Sequence, residues 1–92
     1  MELGEWLRRR APDSADRYLR YFEKYEGLLE GLDLASFPCN SWVLKLAGHY
    51  LDFLLYNGEL DAGEYARLRL ELQARRRVCS DVRGAKRGGG VP

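Results

Sequence analysis

The 92-residue sequence has little of the material from which most metal sites and active sites are built. It contains one histidine and two cysteines, and Cys39 and Cys79 lack the close paired spacing that zinc sites use. A His-Glu-x-x-His motif, a P-loop and a Gly-x-Gly-x-x-Gly pattern are all missing. We therefore expect no metal ion, no cofactor and no complete catalytic site in this chain.

Long apolar runs are missing as well. No stretch approaches the roughly 18 continuous apolar residues of a membrane span, and the N-terminus lacks the basic-then-apolar pattern of a signal peptide. The sequence thus predicts no membrane partner and a cytoplasmic location. In that compartment Cys39 and Cys79 are expected to be two ordinary thiols, because a disulfide would need an oxidising compartment or a hyperthermophilic host.

An excess of charge of either sign is also missing, whereas apolar residues are plentiful. The 15 basic and 14 acidic residues leave a net charge of +1, so bulk charge identifies neither a nucleic-acid nor a membrane partner. Hydrophobic residues make up 46% of the chain, enough to offset the entropy of folding. The length suits one domain, and only the distribution of charge can indicate a partner.

Hydrophobic periodicity predicts an all-α fold, a small bundle of about four helices. The expected helices cover residues 1–10, 15–30, 42–56 and 61–77. The expected N-terminal caps are Asp13 or Ser14, then Ser41, then Asp61, and the expected stops are Gly31 and the pair Asn57 and Gly58. Apolar side chains surround nearly all of the third helix, which predicts that it is the central, most buried one.

The remaining segments are expected to be a connector and a tail. Leu32, Leu34 and Phe37 are available to plug the core from the connector between the second and third helices. The composition changes near Ser80, so residues 1–79 are expected to form the helical domain. Residues 80–92, rich in glycine and basic side chains, are expected to form a flexible tail or the start of an interdomain linker.

Charge is unevenly divided around the second predicted helix. Arg17, Arg20 and Lys24 lie within about 60° of one another on a helical projection, bordered by Tyr21. Three acidic residues, Glu23, Glu26 and Glu30, lie about 180° to 240° from Arg17. A basic strip beside an aromatic ring suits a phosphate backbone. The alternative, and the more common arrangement, is a solvated face with internal ion pairs such as Arg20 with Glu23.

Two further groups of polar residues could contribute to the same surface. Ser41, Lys45 and His49 belong to the narrow polar strip of the third helix, near an N-terminus that favours phosphate. The simpler interpretation of this strip is the exposed side of a buried helix. The basic residues Arg75, Arg76 and Arg77 precede the tail and could add to a cationic arm, although such tails are common and non-specific.

The segments EWLRRRAPDSADRYLRYFEKYEGLLEG and SWVLKLAGHYLDFLLYNGELDAGEYARLRLELQARRR carry a family resemblance. Residues 5–78 resemble the N-terminal core-binding domain of tyrosine recombinases, the phage-integrase superfamily, especially archaeal viral and plasmid integrases. The shared features are a Trp-Leu segment, a Tyr-x-x-Tyr helix, a helix that ends at a Phe-Leu, Tyr, Asn-Gly turn, and a further helix before the linker. These are helical patterns and not invariant catalytic chemistry.

The resemblance implies a SAM-like bundle that clamps one side of double-stranded DNA in recombination or integration. Carried over by position, Arg17, Arg20, Lys24, Ser41, Lys45 and His49 would face the DNA. The family's catalytic residues lie in a separate downstream domain that this chain lacks, so we expect it not to be an enzyme by itself. An integrase catalytic domain or other integrase protomers would then be its protein partners, whether it is the start of a longer integrase, a remnant or part of a split gene.

The rival hypothesis is a small helical protein-protein interaction module, which the near-neutral net charge favours. In that case exposed Trp6, Leu19 or Tyr56 would form an apolar patch, and binding would respond little to salt. A continuous basic face that joins Arg17, Arg20, Lys24 and Lys45 would favour DNA instead.

Overall fold

The computed structural model describes the backbone of residues 1–88 and the side chains of residues 1–80. Within that part of the chain it contains helices and no strand, so the predicted all-α class is confirmed. The elements are α1 (Leu3–Arg10), α2 (Ala15–Lys24), α3 (Glu26–Gly31), a single 3₁₀ turn (Leu34–Ser36), α4 (Ser41–Tyr56) and α5 (Ala62–Gly88).

Helix α4 is the centre of the bundle, as its composition predicts. Val43, Leu46 and Leu51 are completely buried on it. Helices α2 and α5 both pack against α4, and α1 contacts α2 and α4. A helix that is apolar nearly all round must be covered on several sides, and these three neighbours cover it.

The second predicted helix is two helices, because the chain breaks regular geometry at Tyr25. This residue has φ −117° and ψ 24°, which separates α2 from α3. The Tyr25 amide still donates to the carbonyl of Tyr21, and the Leu29 amide donates to the carbonyl of Tyr25, both at 3.0 Å. Since the hydrogen-bond spacing survives the break, the apolar stripe continues through it, and periodicity alone could not reveal the break.

Two of the helix ends agree with the sequence signals. Helix α3 ends at Gly31, although the left-handed residue is the next one, Leu32, with φ 53°. Helix α4 is followed by Gly58 with φ +74°, a conformation that glycine adopts without steric cost. Both stops were expected from the sequence.

The N-terminal cap of α4 is Asn40 and not the predicted Ser41. The Asn40 side-chain oxygen accepts hydrogen bonds from the amides of Trp42 at 2.9 Å and Val43 at 3.4 Å. Its backbone is extended, as an N-cap requires, whereas Ser41 is already helical. The predicted cap Asp61 is confirmed, because its carboxylate accepts from the Glu64 amide at 2.8 Å.

The connector plugs the core as predicted and carries an unexpected covalent link. Leu34 and Phe37 are buried, and the 3₁₀ turn packs against α5. Cys39 and Cys79, 40 positions apart, are joined by a disulfide with their Cα atoms 5.2 Å apart. The expectation of two ordinary thiols was wrong, because sequence spacing does not show that the connector lies along α5.

Helix α5 continues to Gly88, beyond the predicted end at Arg77. Leu68, Leu72 and Cys79 are all buried, and their spacing of four and seven extends one apolar stripe past the three arginines. The predicted tail from Ser80 is therefore helical as far as Gly88. Residues 89–92 lie outside the described residues, and the flexibility expected of the tail stays a prediction.

Candidate nucleic-acid interface

The three basic residues of α2 lie together on the surface. Arg17, Arg20 and Lys24 are exposed, and with Tyr21 they line one shallow depression. The Lys24 ammonium also lies over the ring of Tyr25, 5.5 Å from its centroid. The arrangement matches the strip that the helical projection predicts.

Trp42 joins this strip to α4. The Arg17 guanidinium carbon lies 4.4 Å from the centroid of the Trp42 ring, and the Lys45 ammonium lies 5.5 Å from the same centroid. Each cation is attracted to the negative face of the ring, by about 0.5–1 kcal/mol at an exposed position. Two strips that the sequence shows separately thus meet at one half-buried indole.

A second depression, the Gly48 pocket, continues this surface toward α5. It has a volume of about 210 Å³ and is lined by Tyr18, Lys45, Gly48, His49, Asp52, Arg69 and Arg76. The ring of Tyr18 lies between its neighbours, with centroids 5.0 Å from His49 and 5.5 Å from Trp42. The pocket therefore brings cations from α4 and α5 to the end of a row of aromatic rings.

The sequence reasoning missed Arg69. Arg69 and Arg76 are seven residues apart, hence on the same side of α5, and both flank the buried stripe of Leu68 and Leu72. This heptad spacing beside a buried stripe is the signal that could have identified the pair. Arg67, by contrast, is exposed and pairs with Glu71 at 3.3 Å.

The one carboxylate among the residues that line the Gly48 pocket is already engaged. Asp52 forms an ion pair with Nη2 of Arg10 at 3.3 Å, and it accepts a hydrogen bond from the hydroxyl of Tyr65. That hydrogen bond, followed by burial, raises the pKa of Tyr65. Asp52 is thus compensated by Arg10 and leaves the cations of the pocket available to an anion.

The pKa of His49 is lowered in part by the positive charges around the pocket. Burial is the largest cause that lowers the pKa of His49, and the charge of Arg10 is the second. Asp52 opposes them, while Arg69 and Arg76 lower the pKa further. The imidazole is therefore held in its neutral form more strongly than an exposed histidine would be.

Tyr50, the next residue on α4, has a pKa that nearby negative charges raise. Burial raises the pKa of Tyr50, and the charges of Glu30, Glu59 and Glu26 raise it further. Successive helical residues point about 100° apart, so His49 and Tyr50 face different surroundings. The glutamates that act on Tyr50 are thus absent from the charges that act on His49, where cations predominate.

The remaining predicted site residues divide between the surface and the fold. Ser41 is exposed and lines a third depression together with Lys45 and Arg76. Arg76 donates from Nη2 to the carbonyl of Leu44 at 3.2 Å. Arg75 instead binds the carbonyl of Phe37, which directs it into the fold, and Arg77 is exposed.

The described part of the chain contains no group of three or more histidine, cysteine or acidic residues placed to hold a metal ion. None of its helices combines the length and the apolar character needed to cross a membrane. No protein-family model, curated protein or solved structure matches the chain.

Proposed function

We propose that this chain binds double-stranded DNA as the DNA-binding module of a tyrosine recombinase or integrase. One observation carries the DNA part of the proposal, namely the surface that joins cations of α2, α4 and α5. We name it the basic face, and its members are Arg17, Arg20, Lys24, Lys45, Arg69 and Arg76.

The chemistry of the basic face suits the sugar-phosphate backbone. Arginine and lysine supply hydrogen bonds and charge to phosphates, and they release the counterions condensed on DNA. Glu26, Glu30 and Glu59 act on Tyr50 and are not among the charges that act on His49. Contacts of this kind position a protein on DNA without reading its sequence.

The recombinase part of the proposal rests on the resemblance of residues 5–78 to core-binding domains. The helical bundle is compatible with it, although a fold by itself does not imply a function. On this proposal the module clamps one side of the duplex, and a catalytic domain or another integrase protomer completes the clamp. The isolated chain should therefore bind weakly and should not cut DNA.

The test is the binding of a labelled random duplex at several salt concentrations. Each phosphate contact adds about 0.9 to the slope of log affinity against log salt concentration. Replacement of Arg17 and Lys45 by glutamine should therefore reduce the slope by about 2. In the matched control, Arg9 and Arg67 are replaced by glutamine. Both are exposed cations outside the basic face, so this variant should change the slope little.

A second control separates the basic face from the C-terminal cations. Arg83, Lys86 and Arg87 are replaced by glutamine in the full-length chain, which keeps Cys79 and the disulfide intact. Binding that is lost only in this variant would remove the basic face from the proposal. Salt-independent binding, or none at low salt, would favour the protein-interaction hypothesis.

The rival hypothesis has a different set of exposed apolar residues from the one that the sequence suggests. Among residues 1–80 the exposed large apolar side chains are Met1, Leu55, Tyr56, Leu70 and Val78. Trp6 and Leu19 are half-buried, and of the three residues named for the patch only Tyr56 is exposed. Its ring packs on Trp6 with the centroids 4.9 Å apart. We keep DNA as the proposed partner because of the basic face and not because apolar surface is lacking.

A further inference from the structure

Two arginines from α5 converge on a single glycine of α4. A Cβ atom added at Gly48 would lie 2.9 Å from Nη1 of Arg69 and 3.8 Å from Nη2 of Arg76. The two guanidinium nitrogens therefore cannot be farther apart than the sum of these distances. Gly48 is buried and helical, and its missing side chain is what lets both guanidiniums approach the α4 backbone.

Such a pair of like charges is unfavourable unless something opposite in charge lies nearby. Among residues 1–80, neither Arg69 nor Arg76 forms an ion pair with a carboxylate. Lys45 adds a third cation to the same pocket, and Asp52 is paired with Arg10. The cations Lys45, Arg69 and Arg76 of the pocket thus have no direct carboxylate partner among residues 1–80.

The donors are held by contacts that leave binding capacity free. Arg76 uses Nη2 on the carbonyl of Leu44, which leaves Nε and Nη1 to donate elsewhere. The Arg69 guanidinium lies over the ring of Tyr65, 6.0 Å from its centroid. Guanidinium forks match the geometry of phosphate oxygens, and two of them around one point suit one tetrahedral anion.

We propose that the Gly48 pocket binds one phosphate group, clamped between Arg69 and Arg76 with Lys45 beside it. This inference rests on the proposed function, since the phosphate is then a phosphodiester of the DNA backbone. A phosphate bound in the pocket would position the duplex relative to α4, and the other residues of the basic face would contact neighbouring phosphates. The same chemistry would accept free inorganic phosphate, and the test separates the two sources.

The sharpest variant is Gly48→Ala in the full-length chain. The added methyl group meets the far end of the flexible Arg69 side chain, so it displaces that guanidinium without removing any charge. Alanine is also a better helix former than glycine, so the fold should survive. Gly27→Ala is the matched control, because nothing lies within 4 Å of a Cβ added there.

Binding of inorganic phosphate and of a random duplex is measured for the wild type and both variants. The Gly48 amide resonance serves as a local reporter, and chloride at equal ionic strength serves as the blank. We expect Gly48→Ala to lower the affinity for inorganic phosphate and for the duplex by about tenfold each. This is the effect of losing one charge-assisted hydrogen bond. Gly27→Ala should change neither, and Arg69→Lys, which keeps the charge but not the fork, should behave like Gly48→Ala.

The outcomes distinguish this inference from the proposed function. Duplex binding that is equal in all variants would overturn the phosphate pocket and leave DNA binding intact. Phosphate binding that Gly48→Ala abolishes, without any duplex binding, would keep the pocket as a site for free phosphate and overturn the DNA proposal. Binding of neither ligand to the wild type would overturn both.

Discussion

Arg75 of α5 donates two hydrogen bonds to the carbonyl oxygen of Phe37, from Nε at 2.9 Å and from Nη2 at 2.7 Å. Phe37 is completely buried, and its carbonyl belongs to the connector just before α4. Two residues further along the connector, Cys39 is bonded to Cys79 of α5. A charged fork and a covalent bond thus hold the connector against the same helix.

Replacement of Arg75 by alanine should lower stability without removing a DNA contact. It leaves the Phe37 carbonyl without these donors, which costs about 1–3 kcal/mol in free energy of unfolding. Urea denaturation measures the change, and Arg77→Ala, the exposed neighbour, is the control and should change little. The opposite result would be an unchanged free energy of unfolding in Arg75→Ala together with a smaller slope of log DNA affinity against log salt concentration. That result would assign Arg75 to the DNA interface instead.

Reduction of the disulfide should destabilise the fold strongly. The bond closes a loop across a sequence separation of 40, and loop-closure entropy assigns such a link about 4 kcal/mol. For a domain of this size the melting temperature should fall on the order of 20 °C in reducing agent. Two titratable thiols in the native protein without reductant, or an unchanged melting temperature, would contradict the assignment.

Asn40→Ala should weaken the start of α4, whereas Ser41→Ala should not. The Asn40 side chain accepts the two amide hydrogen bonds of the cap, and loss of such a cap costs about 1 kcal/mol. Thermal or urea denaturation of the two variants gives the comparison directly. A larger loss from Ser41→Ala would restore the cap that the sequence suggests.

His49 should make the stability of the protein sensitive to mild acid. Its pKa in the folded state is lowered from 6.5, first by burial and then by Arg10, so the unfolded chain takes up the proton more readily. The contribution of neutral His49 to the free energy of unfolding is present above the pKa of His49 in the unfolded chain. It is lost as the pH falls through the lower pKa of His49 in the folded protein. The melting temperature measured from pH 8 to pH 5 should fall less in His49→Gln, and identical profiles would show that His49 is not responsible.

The helical class and most helix boundaries could be predicted from the sequence because their causes are local. Apolar residues at helical spacing, Gly31 and Gly58 at helix ends and Asp61 at a helix start all act within a few residues of themselves. The break at Tyr25 escaped detection, because one irregular residue leaves the apolar stripe in phase. The end of α5 was missed because three arginines resembled a helix terminus, while Cys79 continued the buried stripe.

The candidate site was only partly visible in the sequence. Arg17, Arg20 and Lys24 share one side of a single helix, and local periodicity is enough to group them. Their meeting with Lys45 at Trp42 depends on how α2 packs against α4. The same holds for Arg69, which no pattern within α5 connects with Gly48.

The sequence by itself determined an all-α bundle, a central α4 and a helix with one basic side, because each follows from residues within a few turns of one another. Only the tertiary structure decided that Cys39 meets Cys79, that Arg75 serves the fold, and that Arg69 and Arg76 converge on Gly48. These relationships join residues 21 to 40 positions apart. They are set by the packing of separate helices around a shared core, which local periodicity does not contain.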